Sequence, residues 1–263
     1  MAKALAQPNL TAGSLYSQSA RLIFKRHRSL IIQPILILVL SAALAITLSQ
    51  AHLDVIEKVT INKKFIFRAI QDHLILSFAS AAVILAVAVP AGILLTRRRY
   101  KKFTPIVLIL ANIGQAFPAV GVLIIAGILF GFGKPIAIFS FAAFGILPIL
   151  RNTIVGLQEI DPFIIESAMG MGMTPKQALR QIELPLAVPV ILAGVRTTLI
   201  LTVGVATLGV FVNGGGLGTL IIPGLKLNRE LVLVTGGMLT VIVAFTMDWL
   251  ARAAEELLRP RGI

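Results

Sequence analysis

Six apolar stretches, each of a length to cross a bilayer at about 20 residues per helical span, run through this chain: 31–49, 74–95, 105–129, 135–150, 186–212 and 231–250. They predict an all-α integral membrane protein of about six transmembrane helices. The fourth stretch is short and Pro148 blurs its edge, so the pattern also admits five or seven crossings. Between the fourth and fifth stretches the pattern changes, and residues 158–185 place small and polar residues among the apolar ones.

Local chemistry gives that segment a shape. Asp161-Pro162 reads as an N-cap followed by proline at the first helical position, and Gly170 and Gly172 end the helix so begun. Thr174-Pro175-Lys176-Gln177 reads as a capping box, opening a second helix that runs through Leu179 and Ile182 until Pro185 stops it. Two short helices joined by a glycine bend are predicted, a compact docking element between membrane spans.

Composition agrees with the membrane assignment: 57% hydrophobic residues and a mean hydropathy of +0.94 lie outside the usual globular range. A net charge of +13 would suggest nucleic acid as the partner of a soluble protein. Here the cations sit where membrane orientation places them, and no nucleic-acid partner is expected. Arg21, Lys25, Arg26 and Arg28 precede the first span, 97–102 follows the second, Lys176 and Arg180 lie in the docking element, and Arg252, Arg259 and Arg261 close the chain. Six crossings put all four groups on one side, which the positive-inside rule makes cytoplasmic, with both termini inside. Loops 52–72 and 213–230 then face outward, although Lys58, Lys63, Lys64 and Arg68 run against the rule beside Asp54, Glu57 and Asp72. The leader of about thirty residues before the first apolar run is too long for a cleaved signal, so a retained helix is expected.

Several chemistries find no support. No Asp or Glu occurs between His73 and Gln158, so the second to fourth spans carry no carboxylate for proton coupling. His27, His52 and His73 lie outside the apolar stretches and far apart, which argues for solvated or interfacial imidazoles and against a metal site. Cysteine is absent, which removes thiol catalysis and thiolate ligands. Gly131-Phe132-Gly133-Lys134-Pro135 has Ile128 where a phosphate loop needs its first glycine and Pro135 where it needs Ser or Thr. Ser167 sits in no nucleophile elbow. Energy must come from elsewhere.

Arg196, about ten residues into the fifth span, is costly there unless it snorkels to the interface, faces a helix partner or lines a water-filled path. Pro90, Pro118 and Pro148 free backbone carbonyls in or near the second to fourth spans, as packing kinks or as hinges of a gated cavity. Gly214-Gly215-Gly216-Leu217-Gly218 follows the fifth span as helix-ending turns or a flexible outer gate.

The spacing of Glu166-Ser167-Ala168, Gly172, Ile182 and Leu184-Pro185 resembles the coupling motif of ABC importer permeases. From His73 onward the chain is similar to the permeases of osmoprotectant, or quaternary-amine, importers. The carriers are Gln115-Ala116-Phe117-Pro118, Leu147-Pro148-Ile149-Leu150-Arg151-Asn152-Thr153, Gly156-Leu157, Gly170-Met171-Gly172-Met173, Glu183-Leu184-Pro185-Leu186, Ala193-Gly194-Val195-Arg196-Thr197 and the glycine run at 214–218. Methionine and phosphonate permeases share the coupling loop, and Ser167 stands where alanine is more usual. A stand-alone gated solute channel is the alternative from a different class.

The resemblance implies a type I importer permease core with a cytoplasmic coupling helix, spanning 71–263, preceded at 1–70 by a cytoplasmic segment, an extra transmembrane helix and the first outer loop. It further implies two ATP-binding subunits, a second permease that is identical or related, an extracytoplasmic substrate-binding protein, and a bacterial or archaeal cytoplasmic membrane. Glu166, Ser167, Ala168, Gly172, Thr174, Pro175, Ile182, Leu184 and Pro185 would couple to the ATPase. Gln115, Phe117, Pro118, Phe144, Pro148, Arg151, Asn152, Arg196, Gly214, Gly215 and Gly216 would line the path or its gate. No metal or cofactor is expected in this chain; ATP and Mg²⁺ would sit on the partner. Trp249, Tyr16 and Tyr100 lie at span ends or outside, leaving only phenylalanines in the membrane, so tight cation selection is expected on the binding protein.

Overall fold

The structure, a computed structural model, describes residues 12–258, with side chains from 30 to 257. The flanking basic groups Arg21, Lys25, Arg26, Arg28, Arg259 and Arg261, with His27 and Tyr16, lie outside those described side chains.

Three helices make the centre: α3 (Lys63–Thr96), α6 (Lys134–Gln158) and α9 (Leu184–Ala206), each packed on the other two. Lipid offers no hydrophobic drive for helix association, so close backbone approach and interhelical hydrogen bonds must supply it. Glycine supplies the approach. A Cβ at Gly92 would lie 2.7 Å from Thr153 across the α3–α6 seam, and one at Gly194 would lie 2.9 Å from Asn152 across the α6–α9 seam. Hydroxyls and amides supply the bonds: Ser80 Oγ donates to the Ile138 carbonyl at 3.2 Å and Asn152 Nδ2 to that of Val190 at 3.1 Å.

Around this centre, α4 (Thr104–Ala116) and α5 (Ala119–Phe130) lie on α6, α11 (Glu230–Leu258) lies on α9, and α1 (Ala12–Gln50) lies on α11. Large side chains such as Leu38, Leu110 and Ile128 stay more than 60% exposed, as a surface facing acyl chains requires. Among the described residues, five helices are long and apolar enough to cross a membrane, or six if the bent pair formed by α4 and α5 counts as one span.

That bent pair corrects the single third span read at 105–129. The two halves meet at 92°, because Pro118 has no N–H to continue α4 and holds Phe117 in extended backbone, φ −68° and ψ 145°. The fourth span, read as short, is the 25-residue α6, which carries Pro148 within it. The loops expected at 52–72 and 213–230 are largely helical: α2 (Val55–Thr60) and the start of α3 fill the first, and α10 (Gly218–Lys226) the second. With 34 residues α3 is about 50 Å long, well beyond the roughly 30 Å hydrocarbon core. Its first turns therefore project.

His73 is also corrected. It lies on α3 with no exposed surface, and its Nδ1 accepts the Leu217 N–H at 3.3 Å. Its place one residue beyond Asp72 made it look interfacial; the glycine run folding back over α3 buries it, with the Cβ position of Gly216 only 3.3 Å from Nδ1.

Candidate functional site

At the end of the bundle where α3 and α6 finish and α9 begins, the segment 158–185 folds into α7 (Pro162–Gly170) and α8 (Pro175–Ala178). Asp161 Oδ1 accepts the Phe163 N–H at 2.9 Å, with Pro162 in the first turn. The Gly172 N–H reaches the Met169 carbonyl and the Met173 N–H reaches that of Ala168, at 3.0 and 3.2 Å, closing the bend. Gly172 takes φ +91°, a conformation other residues adopt only under strain. Gly170 remains helical, so the bend turns on Gly172. The Thr174 hydroxyl accepts the Gln177 N–H at 3.3 Å while Gln177 Oε1 accepts the Thr174 N–H at 2.8 Å, the reciprocal capping box.

The helix opened by Thr174 is not stopped at Pro185. It widens into a π turn over Leu179–Glu183, where the Leu184 N–H reaches back five residues to the Leu179 carbonyl, and continues as α9. Proline in the first turn of a helix sacrifices no bond, and the wide turn absorbs its ring.

Ala168 and Ala178, 0% and 1% exposed, seat the element against the bundle. Glu166, Ser167, Gly172, Thr174 and Pro175 are exposed, whereas Ile182, Leu184 and Pro185 are half-buried. Phe163 and Met171, 72% and 74% exposed, put large apolar surface beside Glu166. Exposed apolar surface rimmed by polar groups suits a contact with protein or with membrane. Behind it a cleft of about 600 Å³ opens between α3, α6 and α7, lined by Arg97, Lys101, Gln158, Ile165, Glu166 and Glu183.

The residues expected along the path fall into four places. Phe117 and Phe144 share a cavity of about 200 Å³ with Gly114, Ser140 and Phe141; Gln115 and Pro118 are nearby in sequence at the helix break. Pro148 and Asn152 face Gly194 in the α6–α9 seam, while Arg151 is exposed. Arg196 is ion-paired with Asp248 of α11 through Nε and through Nη2, the latter at 3.1 Å from Oδ2. Gln33 of α1 donates to the same carboxylate, and Arg252 lies 3.4 Å from it. Gly214 to Gly216 lie at the opposite end: the Gly214 N–H donates to the Gly209 carbonyl at 2.8 Å, and Gly215 abuts Asp72. Asp72 in turn pairs with Lys134 at 2.5 Å.

Asp248 was not singled out from sequence, and Arg196, Glu183 and Asp72 were read there without their ion-pair partners. Asp248 had a signal, as the lone carboxylate within the last apolar stretch at 231–250; intramembrane carboxylates need partners. Arg196 is the one cation within the six apolar stretches, and Arg252 follows Asp248 by four residues.

Residues 88–260 match the protein family described as "Binding-protein-dependent transport system inner membrane component". The choline transport system permease protein OpuBB of Bacillus subtilis is 39% identical over 192 residues, 73% of this chain and 88% of that one. The glycine betaine/carnitine/choline permease protein OpuCB of the same organism is 38% identical over the same shares, and the osmoprotectant import permease protein OsmY of Salmonella typhimurium is 40% identical over 73% and 82%. Among solved structures, the inward-facing MetNI methionine ABC transporter matches with a TM-score of 0.66 at 24% identity, over 76% of this chain and 100% of that one. The likeness to MetNI carries the fold alone.

Proposed function

The chain belongs to the family of inner membrane components of binding-protein-dependent transport systems, and from that premise we propose that it is the permease subunit through which an ABC importer takes up quaternary-amine osmoprotectants such as glycine betaine, choline and carnitine. One observation carries the coupling half of this reading: α7, which presents Glu166, joins α8 through the short hydrogen-bonded bend at Gly172, and α8 runs on without a break through the π turn into α9 at the centre of the bundle. A force applied to α7 and α8 by a docked ATPase reaches α9 without crossing a flexible loop.

Two such permeases, identical or related, enclose one path, and each takes one ATP-binding subunit at its α7–α8 end, which faces the cytoplasm. ATP and Mg²⁺ belong to those subunits. Solute arrives from an extracytoplasmic binding protein at the opposite end. The substrate class is supported by the relatives' named substrates and by the absence of carboxylates from 73–158. A diffuse, weakly hydrated cation can be held by aromatic faces and carbonyls instead.

The test is uptake of labelled glycine betaine, choline and carnitine by vesicles holding the assembled transporter. ATP-dependent accumulation is expected, with Glu166→Lys abolishing it at unchanged membrane abundance. A cognate binding protein that takes methionine or a phosphonate and no quaternary amine would overturn the substrate class.

A further inference from the structure

We propose that the break between α4 and α5 builds a carboxylate-free subsite for the trimethylammonium head of the solute, an inference that rests on the quaternary-amine reading above. Three independent features meet there. First, the cavity of about 200 Å³ has Phe117 and Phe144 among its walls; it is several times the roughly 30 Å³ that a water occupies in the liquid. Phe117 is 56% exposed, so its ring is available rather than consumed by packing.

Second, Gly114 lines the same cavity, and the residue four places on, which would donate to its carbonyl in a continuing helix, is Pro118. That carbonyl has no α-helical partner. The end of α4 also carries the partial negative charge of a helix C-terminus. Outside its own helix backbone, nothing among the described residues lies within 4 Å of where a Cβ of Gly114 would sit, so α4 is bare on that face. Third, Ser140 adds a hydroxyl to the wall, while the nearest carboxylates in sequence, Asp72 and Glu159, lie at the two ends of the bundle.

These groups suit a bulky cation for which full dehydration is cheap and tight capture undesirable. A buried carboxylate would hold it too firmly for transport; aromatic faces and a bare carbonyl hold it weakly. The ring faces and the α4 carbonyl disfavour an anion, although the free N–H groups in the first turn of α5, whose Ala119 shares the wall, offset part of the α4 dipole.

The chain has no native cysteine, so Ser140→Cys can be placed alone in the assembled transporter with cysteine-free partners. Its reaction rates with trimethylammonium-ethyl and sulfonate-ethyl methanethiosulfonate are compared with those of Thr219→Cys on α10, outside the cavity. The expected result is a cation preference at Ser140→Cys on the order of tenfold above the control, slowed by excess glycine betaine and reduced about 2- to 5-fold by Phe144→Leu, as the loss of one cation–π contact requires. Equal preferences at the two positions, or no reaction at Ser140→Cys with either reagent, overturn the subsite. Glycine betaine uptake by the unmodified transporter separates the two levels: uptake without cation preference sinks the subsite alone, and no uptake of any quaternary amine sinks the reading beneath it as well.

Discussion

Arg97, the residue that ends α3, grips Glu183 at the foot of α9 with two parallel hydrogen bonds, Nη1 to Oε1 at 3.1 Å and Nη2 to Oε2 at 2.5 Å. Glu183 is only 4% exposed and closes the π turn between α8 and α9. The pair therefore ties a third helix to the joint through which α7 and α8 would move α9. Removing Arg97 strands a buried carboxylate, an error costing about 3–5 kcal/mol when both partners are fully buried; with Arg97 35% exposed, about 2 kcal/mol is expected. Arg97→Ala should lower the unfolding temperature in detergent and sharply reduce ATP-driven uptake, and the exchange Arg97→Glu with Glu183→Arg should recover part of both. Unchanged uptake in Arg97→Ala would detach the pair from coupling.

The Arg196–Asp248 pair predicts a different pattern. Asp248 gathers Arg196 from α9 and Gln33 from α1, while the Trp249 indole donates to the Leu30 carbonyl at 3.0 Å, so this cluster fastens α1 to the core. Asp248→Leu leaves Arg196 uncompensated and should cost about 3 kcal/mol in detergent unfolding, whereas Arg196→Met with Asp248→Leu should return close to the wild type. Failure of the double variant to recover would show that the pair does more than fasten helices.

The α7–α8 element was legible because its signals are local. Asp161, Thr174, Gln177 and Gly172 each act within four residues, and each cap formed as read. What sequence could not reveal depends on distant parts of the chain. Whether Pro185 ends a helix or begins one depends on whether a π turn can absorb it, and the burial of His73 depends on a glycine run 144 positions later. The 92° break at Pro118 lay between these cases: proline marked a kink, but its size is set by how α4 and α5 lie on α6. Phe117 and Phe144 share one cavity, whereas Arg196 and the glycine run lie elsewhere, since a motif fixes residue identity and not which helix face meets which.

Outside the membrane, Asp54 caps α2, and its carboxyl is held below 3.8 chiefly by the Glu57 N–H, with Arg229 assisting. A group whose folded value is depressed contributes stability that is present above the unfolded value and fades as pH falls through the folded one. Protection of the α2 amides from hydrogen exchange, attributable to this cap, should be flat between pH 5 and 8 and decline only below 3.8. Asp54→Ala should lose that protection across the whole range. A decline centred near pH 6 would assign the capping to another group.

Orientation is open to direct chemical measurement because no native cysteine competes. Thr219→Cys on α10 should react with an impermeant maleimide in intact cells, and Phe103→Cys or Gln177→Cys only after permeabilisation. The basic run at 97–102 and the α7–α8 element share one end of the bundle and so must share a side. Labelling of Gln177→Cys in intact cells would invert the topology and remove the ATPase from its docking face.

Gly172 offers the sharpest separation of backbone from surface effects. It stands at φ +91°, yet nothing lies within 4 Å of where its Cβ would be, and the same open space surrounds Gly170, which is helical. Alanine at 172 therefore pays only for the left-handed backbone, about 1–2 kcal/mol, whereas alanine at 170 should gain up to about 1 kcal/mol of helix propensity. Relaxation of that strain would swing α8 relative to α7 and misplace Thr174 and Pro175 beside Glu166. At equal membrane abundance, Gly172→Ala and more so Gly172→Leu should lose ATP-driven uptake, and Gly170→Ala should keep it. Equal damage from the two alanines would mean that the ATPase reads the bare surface of this segment and that the bend itself is not required.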